Sequence, residues 1–271
     1  MATGYSLNIG LNNVDISKYA GKYHTLNNAE NDASFYYQIA LQNNFKAKKL
    51  IGADATSTNL LENLKEFAGL MSPGDLLFIS FSGHGTRVKD LNNDEEDGYD
   101  EVIVLYDRLF IDDEFEVCWT WFKEKVRIFV ITDSCYNGHV MRLLPLDEDI
   151  SDHVFRGVDP GLSEIDFNQN LAYYMGIKSG TLNNTGNALC SIIHIGACQD
   201  NQLADDGSPA DKNGKFTIAV KKVYDNGNFK DSYKTFFDLV KNEMPQWESP
   251  CWDLEAGQYD ESFIKSIFLQ F

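Results

Sequence analysis

The chain has 271 residues, of which 43% are hydrophobic, enough for a substantial core in one large domain or two small ones. Its 41 acidic and 23 basic residues give a formal net charge of −18, which argues against a general affinity for nucleic acid or anionic membranes. No segment approaches the roughly twenty apolar residues of a membrane span, and the N-terminus has no basic region followed by an apolar run. We therefore expect a cytoplasmic protein that interacts with cationic substrates, basic protein segments or divalent cations.

The part of the chain before Cys135 alternates strand-like and helix-like segments. Two runs, GDLLFISFSG and VRIFVITDSC, are apolar on both faces, which is typical of central strands in a parallel sheet. Further strands are predicted for YSLNIGLNNV and KAKKLIG, and helices for NAENDASFYYQIALQNN, STNLLENLKEFAGL and IDDEFEVCWTWFKEK. This alternation is typical of an α/β protein.

A long segment at 136–189 is rich in Asp, Gly, Asn and Ser and has little sustained periodicity. It is too long for an ordinary connection, so we predict a functional or mobile loop. Beyond it, ALCSIIHIGAC predicts a buried strand, FTIAVKKVYDN and SYKTFFDLVKNEM predict helices, and SFIKSIFLQF predicts an edge strand. With no clean boundary or linker, we expect one α/β domain over residues 1–271, built on a mainly parallel sheet.

Two of the buried strands end in polar, glycine-flanked segments that carry a histidine and a cysteine. FISFSGHG contains His84, and FVITDSCYNG contains Cys135. Because the carboxyl ends of parallel strands meet at one edge of a sheet, both side chains are expected to project there. A thiolate attacks a carbonyl carbon while an imidazole manages the protons, so this pair predicts cysteine nucleophilic catalysis. The backbone N–H groups of Gly85 and Cys135 are the candidate donors to the oxyanion.

Several segments, in this order, carry a family resemblance: LNNAENDA, SGHG, DEEDGYDEVIVLYD, TDSCYNG and IGACQDNQLADDG. Together they resemble the metacaspase and bacterial orthocaspase branch of the caspase-like cysteine peptidases, over about residues 4 to 225. The resemblance implies a caspase-like three-layer sandwich, with a mainly parallel six-stranded sheet and helices on both faces. It also implies a cysteine endopeptidase in which Cys135 is the nucleophile and His84 the acid/base partner.

The resemblance further implies cleavage of proteins or peptides after Arg or Lys, selected by an acidic primary pocket. Asp32, Ser82 and Asp133 match the pocket positions, and Asp200 is a further candidate. Converging carboxylates bind a guanidinium or ammonium group through charge-assisted hydrogen bonds and repel an acidic side chain. Two simpler interpretations stay open: Asp32 as a carboxylate at a helix start, and Ser82 and Asp133 as groups that orient their neighbours.

Many members of this branch require calcium, held by carboxylates between the two catalytic strands and by one shortly after the cysteine. Asp100, Asp112 and Asp113 match the first group, whereas Arg142 stands where the calcium-dependent pattern has the last carboxylate. Losing one oxygen ligand and adding a positive charge weakens such a site considerably. We therefore expect that no cofactor is required, and that the acidic run at 94–101 is a solvated loop apart from Asp100.

The segment after Cys135 also contains exposed-looking basic residues of the type such an enzyme cleaves. We predict that Arg142 or Arg156 is a processing site, cut by the enzyme itself or by an activating protease, and that the cut frees the pocket. One alternative is a catalytically silent binding or regulatory module that keeps His84 and Cys135 apart. Another is a calcium-binding regulatory domain built on the acidic segment. Because metacaspases are typically monomers, the resemblance implies a monomer.

Overall fold

The computed structural model describes residues 1–21, 23–91, 97–136, 153–183, 187–199, 202–208, 210–254 and 257–271, with the backbone alone described for 178–183. Within these ranges the strands are β1 (Gly4–Gly10), β2 (Lys46–Ile51), β3 (Leu76–Ser82), β4 (Gly85–Lys89), β5 (Tyr99–Val104), β6 (Leu109–Ile111), β7 (Arg127–Asp133), β8 (Ser191–Gly196) and β9 (Cys251–Asp253). The helices are α1 (Ala29–Gln42), α2 (Ser57–Leu70), α3 (Asp112–Trp119), α4 (Pro160–Gln169), α5 (Leu171–Asn183), α6 (Lys215–Tyr224), α7 (Tyr233–Glu243) and α8 (Glu261–Lys265).

A six-stranded sheet forms the centre of the described chain, in the strand order β2-β1-β3-β7-β8-β9. Neighbouring strands are parallel except for β8 and the edge strand β9, which run antiparallel. The prediction of an α/β fold with a mainly parallel six-stranded sheet is therefore confirmed. In the register of β3 and β7, Ser82 aligns with Asp133, so both strands end at the same edge.

Helices cover both faces of this sheet. Side chains of β3 alternate between the two faces, as expected for a strand buried on both sides. Phe78 packs in a core with residues of α1, α6 and α7, whereas Ile79 packs in a second core with residues of α2 and α3. The result is the expected three-layer sandwich. None of the helices in the described ranges has the length and apolarity needed to cross a membrane.

A second, antiparallel sheet of β4, β5 and β6 follows β3 directly. The sequence predicts no strand here, because the acidic run suggests a solvated loop. Asp100 instead lies within β5, where it pairs with Val88 of β4 and is buried. Val102 and Val104 of the same strand are also buried, so apolar packing outweighs the local charge. Residues 92–96 of the run lie outside the described residues.

Part of the segment at 136–189 is helical rather than an extended loop, since α4 and α5 lie within it. Asp159 caps α4 by accepting a hydrogen bond from the N–H of Gly161 at 2.8 Å. The rings of Phe167 and Tyr174 stack 4.6 Å apart and are buried in the core. Tertiary packing of a few aromatic residues stabilises these helices, and their weak amphipathic patterns do not reveal them in the sequence.

The C-terminal run SFIKSIFLQF does not form the predicted edge strand, and β9 occupies that edge of the sheet. A short helix, α8, begins here because the Asp260 carboxylate accepts hydrogen bonds from the N–H groups of Ser262 at 2.9 Å and Phe263 at 3.1 Å. The rings of Phe263 and Phe268 lie 5.0 and 5.2 Å from that of Tyr233 in α7. The apolar residues that suggest a strand therefore pack against a helix.

Candidate active site

The carboxyl ends of β3 and β7 bring the candidate histidine and cysteine to one edge of the sheet, because His84 comes just after β3 and Cys135 just after β7. The two backbones touch there. A methyl group at Gly85 would lie 2.5 Å from the carbonyl oxygen of Cys135 and 3.1 Å from its nitrogen. Only glycine permits this approach, so Gly85 lets the start of β4 lie against Cys135.

His84 is buried and is held by the segment that precedes α1. Its Nε2 lies 2.7 Å from the carbonyl oxygen of His24, and the two imidazole rings meet edge to face at 4.5 Å. Burial lowers the pKa of His84 to about 4, with a smaller contribution from His24. The imidazole is therefore neutral at physiological pH. The sequence offers no signal for His24, because its role depends on a backbone carbonyl group.

The Cys135 thiol is buried and donates a hydrogen bond to the carbonyl oxygen of Gln202 at 3.0 Å. Its proton is therefore directed to Gln202 rather than to His84. A second thiol, that of Cys198, lies 3.7 Å from the same carbonyl oxygen. Contact with Cys135, together with burial, raises the pKa of Cys198 well above its usual value. The nucleophile and the imidazole share one edge of the sheet, but each has a different hydrogen-bond partner.

Three carboxylates converge on the guanidinium of Arg156, which is 0% exposed. Asp32 pairs with Nη2, Asp206 Oδ1 accepts from Nη2 at 2.9 Å and from Nε at 3.1 Å, and Asp133 Oδ1 lies 2.8 Å from Nη1. Nη1 also donates to the Asp133 carbonyl oxygen at 2.9 Å. The site is thus a closed acidic pocket with one cation inside.

Other groups fix the carboxylates of this pocket in place. Asp32 Oδ1 accepts hydrogen bonds from Asn213 Nδ2 at 2.8 Å and from the N–H of Gly214 at 3.1 Å. The hydroxyl group of Thr217 donates to Asp133 Oδ2 at 2.7 Å. Burial raises the pKa of Asp32 to about 7 even though Arg156 opposes the shift, and burial also raises the pKa of Asp133. Without a cation, this pocket would hold crowded and poorly solvated negative charges.

The burial of Arg156 corrects the expectation that it is exposed, since the three carboxylates compensate its desolvation. Ser82 is buried beside Asp133, and its hydroxyl has no hydrogen-bond partner within the described part of the chain. Asp200 and Arg142 lie outside the described residues. Asp206, which sequence reasoning missed, lies in the matching run LADDG, but nothing in that run distinguishes it from the acidic residues around it.

The backbone around Arg156 lies across the predicted oxyanion donor. The N–H of Gly85 donates to the Arg156 carbonyl oxygen at 2.9 Å, and the N–H of Val158 donates to the Gly85 carbonyl oxygen at 3.0 Å. On the other side, the N–H of Arg156 donates to the carbonyl oxygen of Ala204 at 2.9 Å. Arg156 therefore has its side chain in the acidic pocket and its carbonyl group at the edge where His84 lies.

The carboxylates of Asp100, Asp112 and Asp113 form a separate cluster, with ligand oxygens all within 4.8 Å of one another. Burial, followed by the charges of Glu101 and Asp100, raises the pKa of Asp112 to about 10. Asp112 and Asp113 line a cavity of about 700 Å³. Crowded oxygen ligands of this kind suit a hard divalent cation, so these three residues fit the donor set expected from the resemblance.

Comparison with known proteins shows which family shares these sequence features. A model of the "Metacaspase, peptidase C14 domain" matches residues 19–144. Metacaspase-1B of Aspergillus fumigatus is 40% identical over 93 residues, which cover 32% of this chain and 23% of that protein. Metacaspase-1 of Schizosaccharomyces pombe is 30% identical over 186 residues, which cover 56% and 42%. The chain spans less than half the length of these curated relatives.

Solved structures extend the similarity to nearly the whole chain. A crystal structure of a Geobacter sulfurreducens protein is 32% identical, has a TM-score of 0.81 and aligns over 97% of each chain. Caspase-1 from Spodoptera frugiperda aligns over 93% of this chain and 86% of that one, with a TM-score of 0.55 and 10% identity. The second similarity shows a shared fold and nothing further.

Proposed function

The chain matches the metacaspase, peptidase C14 family over residues 19–144, and on that premise we propose that it is a cysteine endopeptidase that cleaves proteins after Arg or Lys. The supporting observation is the guanidinium of Arg156 enclosed by Asp32, Asp133 and Asp206. Charge-assisted hydrogen bonds to these carboxylates favour a basic side chain at the cleaved residue, and the same charges repel an acidic one. Ser82, which lies beside Asp133, is a further residue of this pocket.

In the proposed reaction, the Cys135 sulfur attacks the carbonyl carbon of the basic residue, and the thiol proton passes to His84. The N–H groups of Gly85 and Cys135 donate to the oxygen as it becomes negative. His84 then protonates the leaving amine, the C–N bond breaks, and a thioester remains on Cys135. Water attacks the thioester, with His84 as the base, and releases the new carboxylate and the free thiol. The His24 carbonyl group holds the imidazole in position through Nε2.

The bond between Arg156 and Gly157 is the proposed processing site. The Arg156 side chain already lies in the acidic pocket, and its carbonyl oxygen already accepts a hydrogen bond from Gly85. Catalysis at this bond requires the Cys135 thiol to leave the Gln202 carbonyl group and turn toward the Arg156 carbonyl carbon. Cleavage, by the chain itself or by a partner protease, frees the pocket for other substrates.

A panel of fluorogenic peptides tests the proposed specificity. We expect the processed protein to cleave peptides that end in Arg or Lys and to leave those that end in Asp intact, with Cys135→Ala as the inactive control. Because we propose that no cofactor is required, cleavage should persist in a chelator as well as in added calcium. Cleavage only after Asp would contradict the pocket assignment, and no cleavage under any condition would favour the silent module.

Mass spectrometry of the active protein tests the processing site. We expect fragments that end at Arg156 and begin at Gly157, and an intact chain when Arg156→Gln is introduced. Arg142→Gln is the matched control, and this variant should still be cut after Arg156. An intact chain that turns over peptides, or a cut that survives Arg156→Gln, would show that Arg156 is not the processing site.

The silent module remains the second candidate because of the hydrogen bonds at the site. Cys135 donates to Gln202 and His84 is held by His24, so in this structure the two groups are not hydrogen-bonded to each other. The peptide panel separates the two candidates directly. Calcium binding at Asp100, Asp112 and Asp113 stays an alternative, which calorimetry with calcium tests. A monomeric state and a place in the bacterial branch stay predictions, and sedimentation of the intact chain tests the first of these.

A further inference from the structure

The segment 153–156 lies beside the site, with an isolated β-bridge at Phe155 and a bend at Arg156. It is antiparallel to the segment 204–206, through a bridge between Phe155 and Asp205. The N–H of Arg156 donates to the Ala204 carbonyl oxygen at 2.9 Å, and the N–H of Asp206 donates to the Val154 carbonyl oxygen at 2.8 Å. Backbone pairing of this kind fixes which way each side chain points, whatever the side chain is. The three residues before Arg156 therefore occupy defined positions, which we number P2, P3 and P4 with Arg156 at P1.

The P2 residue, Phe155, lies in an aromatic recess. Its side chain is buried, and its ring centroid lies 6.4 Å from that of Trp247 in a near-perpendicular arrangement. Its carbonyl oxygen is 2.7 Å from Nε2 of His24, the residue whose own carbonyl group holds the candidate catalytic histidine. Aromatic contacts at this distance add to the burial of apolar surface. The recess therefore suits a large aromatic side chain and gives a small one little contact.

The P4 residue, His153, has both a ring partner and a charged partner. Its ring lies 6.1 Å from that of Phe155 and 6.4 Å from that of Trp247. Its Nδ1 lies 2.6 Å from Oδ2 of Asp205, whose side chain is 0% exposed. A buried carboxylate facing this position attracts a side chain that donates hydrogen bonds or carries positive charge, and repels an acidic one.

We infer that Trp247 and Asp205 form two specificity subsites, so that the enzyme selects extended protein segments with an aromatic residue at P2 and a basic or imidazole side chain at P4. This inference rests on the proposed cleavage after Arg or Lys. Residues 153–156 of the chain itself are then a model of its external substrates. Neither subsite depends on the carboxylates that hold the P1 side chain.

The test uses the processed protein and four peptide amides that share Val at P3 and Arg at P1. The reference peptide has His at P4 and Phe at P2; one variant replaces Phe by Gly, one replaces His by Lys, and one replaces His by Glu. We expect kcat/KM to fall about tenfold with Gly at P2. Lys at P4 should be accepted as well as His, whereas Glu at P4 should lower kcat/KM by a similar factor.

Protein variants assign each preference to its residue. In Trp247→Ala and Trp247→Leu, the ratio of the Phe to the Gly peptide should approach one, and in Asp205→Asn the ratio of the Lys to the Glu peptide should approach one. Tyr259→Ala and Asp238→Asn remove an exposed aromatic ring and an exposed carboxylate elsewhere, so they should leave both ratios unchanged. A ratio within one protein cancels differences in the amount of folded enzyme.

The outcomes also distinguish a failure of the two subsites from a failure of the proposed cleavage after Arg or Lys. Cleavage after Arg with equal kcat/KM for all four peptides would overturn the two subsites and leave the acidic pocket intact. Preferences that persist in Trp247→Ala and Asp205→Asn would overturn the assignment to these residues. No cleavage after Arg in any peptide would overturn the proposed function and the subsites together.

Discussion

At the residue scale, the pocket holds three carboxylates and one guanidinium, all shielded from water. Arg156 compensates Asp32, Asp133 and Asp206 at once, and each partner comes from a different part of the chain. Such a group costs free energy to desolvate, so its pairing adds little net stability compared with an apolar core. Removing Arg156 alone costs much more free energy, because the three carboxylates left behind stay buried and charged.

Replacing Arg156 should therefore destabilise the folded chain strongly. In a Cys135→Ala background, which keeps the chain uncut, we expect Arg156→Ala to lower the free energy of unfolding by about 3 to 5 kcal/mol. Lys48→Ala breaks an exposed pair with Glu66 and should cost less than about 1 kcal/mol. Urea unfolding measures both values. Equal losses for the two variants would contradict the view that Arg156 compensates buried charges.

The raised pKa of Asp32 predicts a pH dependence with a definite sign. Its pKa is about 7 in the folded chain, against an ordinary value of 3.8, so the folded state binds the proton more tightly. The stabilisation is present below about pH 4 and is lost as pH rises through 7. His84, whose pKa is lowered to about 4, acts in the opposite direction between pH 4 and 6.5.

Comparing variants isolates the Asp32 contribution. In the Cys135→Ala background, Asp32→Asn should lose less stability than its parent between pH 5 and pH 7, because the amide does not titrate. Urea midpoints at several pH values measure the difference, and the His84 contribution is common to both proteins. Parallel pH profiles would show that Asp32 is ionised throughout this range.

At the scale of elements, the site depends on the turn that connects β3 to β4. The chain turns through Gly83 and His84, and β4 begins at Gly85 against the backbone of Cys135. A Cβ atom at Gly85 would force this strand start away from the end of β7. The same glycine also donates its N–H to the Arg156 carbonyl oxygen, so a shift there moves the candidate oxyanion donor as well.

Gly85→Ala should therefore abolish most activity, with a loss of about 100-fold or more in kcat/KM, because a displacement of about 1 Å at a reacting group is this costly. Gly69→Ala is the matched control, since a methyl group there meets nothing within 4 Å and lies in helix α2. That change should leave activity unaltered and stabilise the helix by at most about 1 kcal/mol. Full activity in Gly85→Ala would exclude this N–H as an essential donor.

Five of the six strands of the central sheet, all except the edge strand β9, are predictable because their patterns are strong and local. Runs such as that of β3 are apolar on both faces and end in turn residues, so existence and type follow from the sequence. The second sheet and the helices α4 and α5 are not predictable in this way. Acidic residues obscure β5, and a few buried aromatic rings such as that of Tyr174 stabilise the two helices through tertiary contacts.

At the scale of the whole molecule, the positions of His84 and Cys135 at one sheet edge follow from topology, which the sequence indicates. The burial of Arg156 does not follow from the topology. Whether a charged residue lies inside or outside depends on partners that are distant in sequence, since 124 residues separate Arg156 from Asp32. His24 and Asp206 escape prediction for the same reason, because their roles arise only when separate segments meet.

If the acidic pocket binds substrate as proposed, the buried Arg156 side chain of the intact chain competes with external substrates for it. A side chain tethered in the same molecule acts at an effective concentration on the order of millimolar for a short flexible connection. The Arg156 guanidinium pairs with three buried carboxylates in the pocket. An incoming basic peptide must therefore displace a side chain that stays covalently attached to the same molecule. Peptides at micromolar concentration would lose this competition. The activity of the intact chain would therefore be insensitive to changes in substrate concentration. Activity would appear only after the chain is cleaved after Arg156.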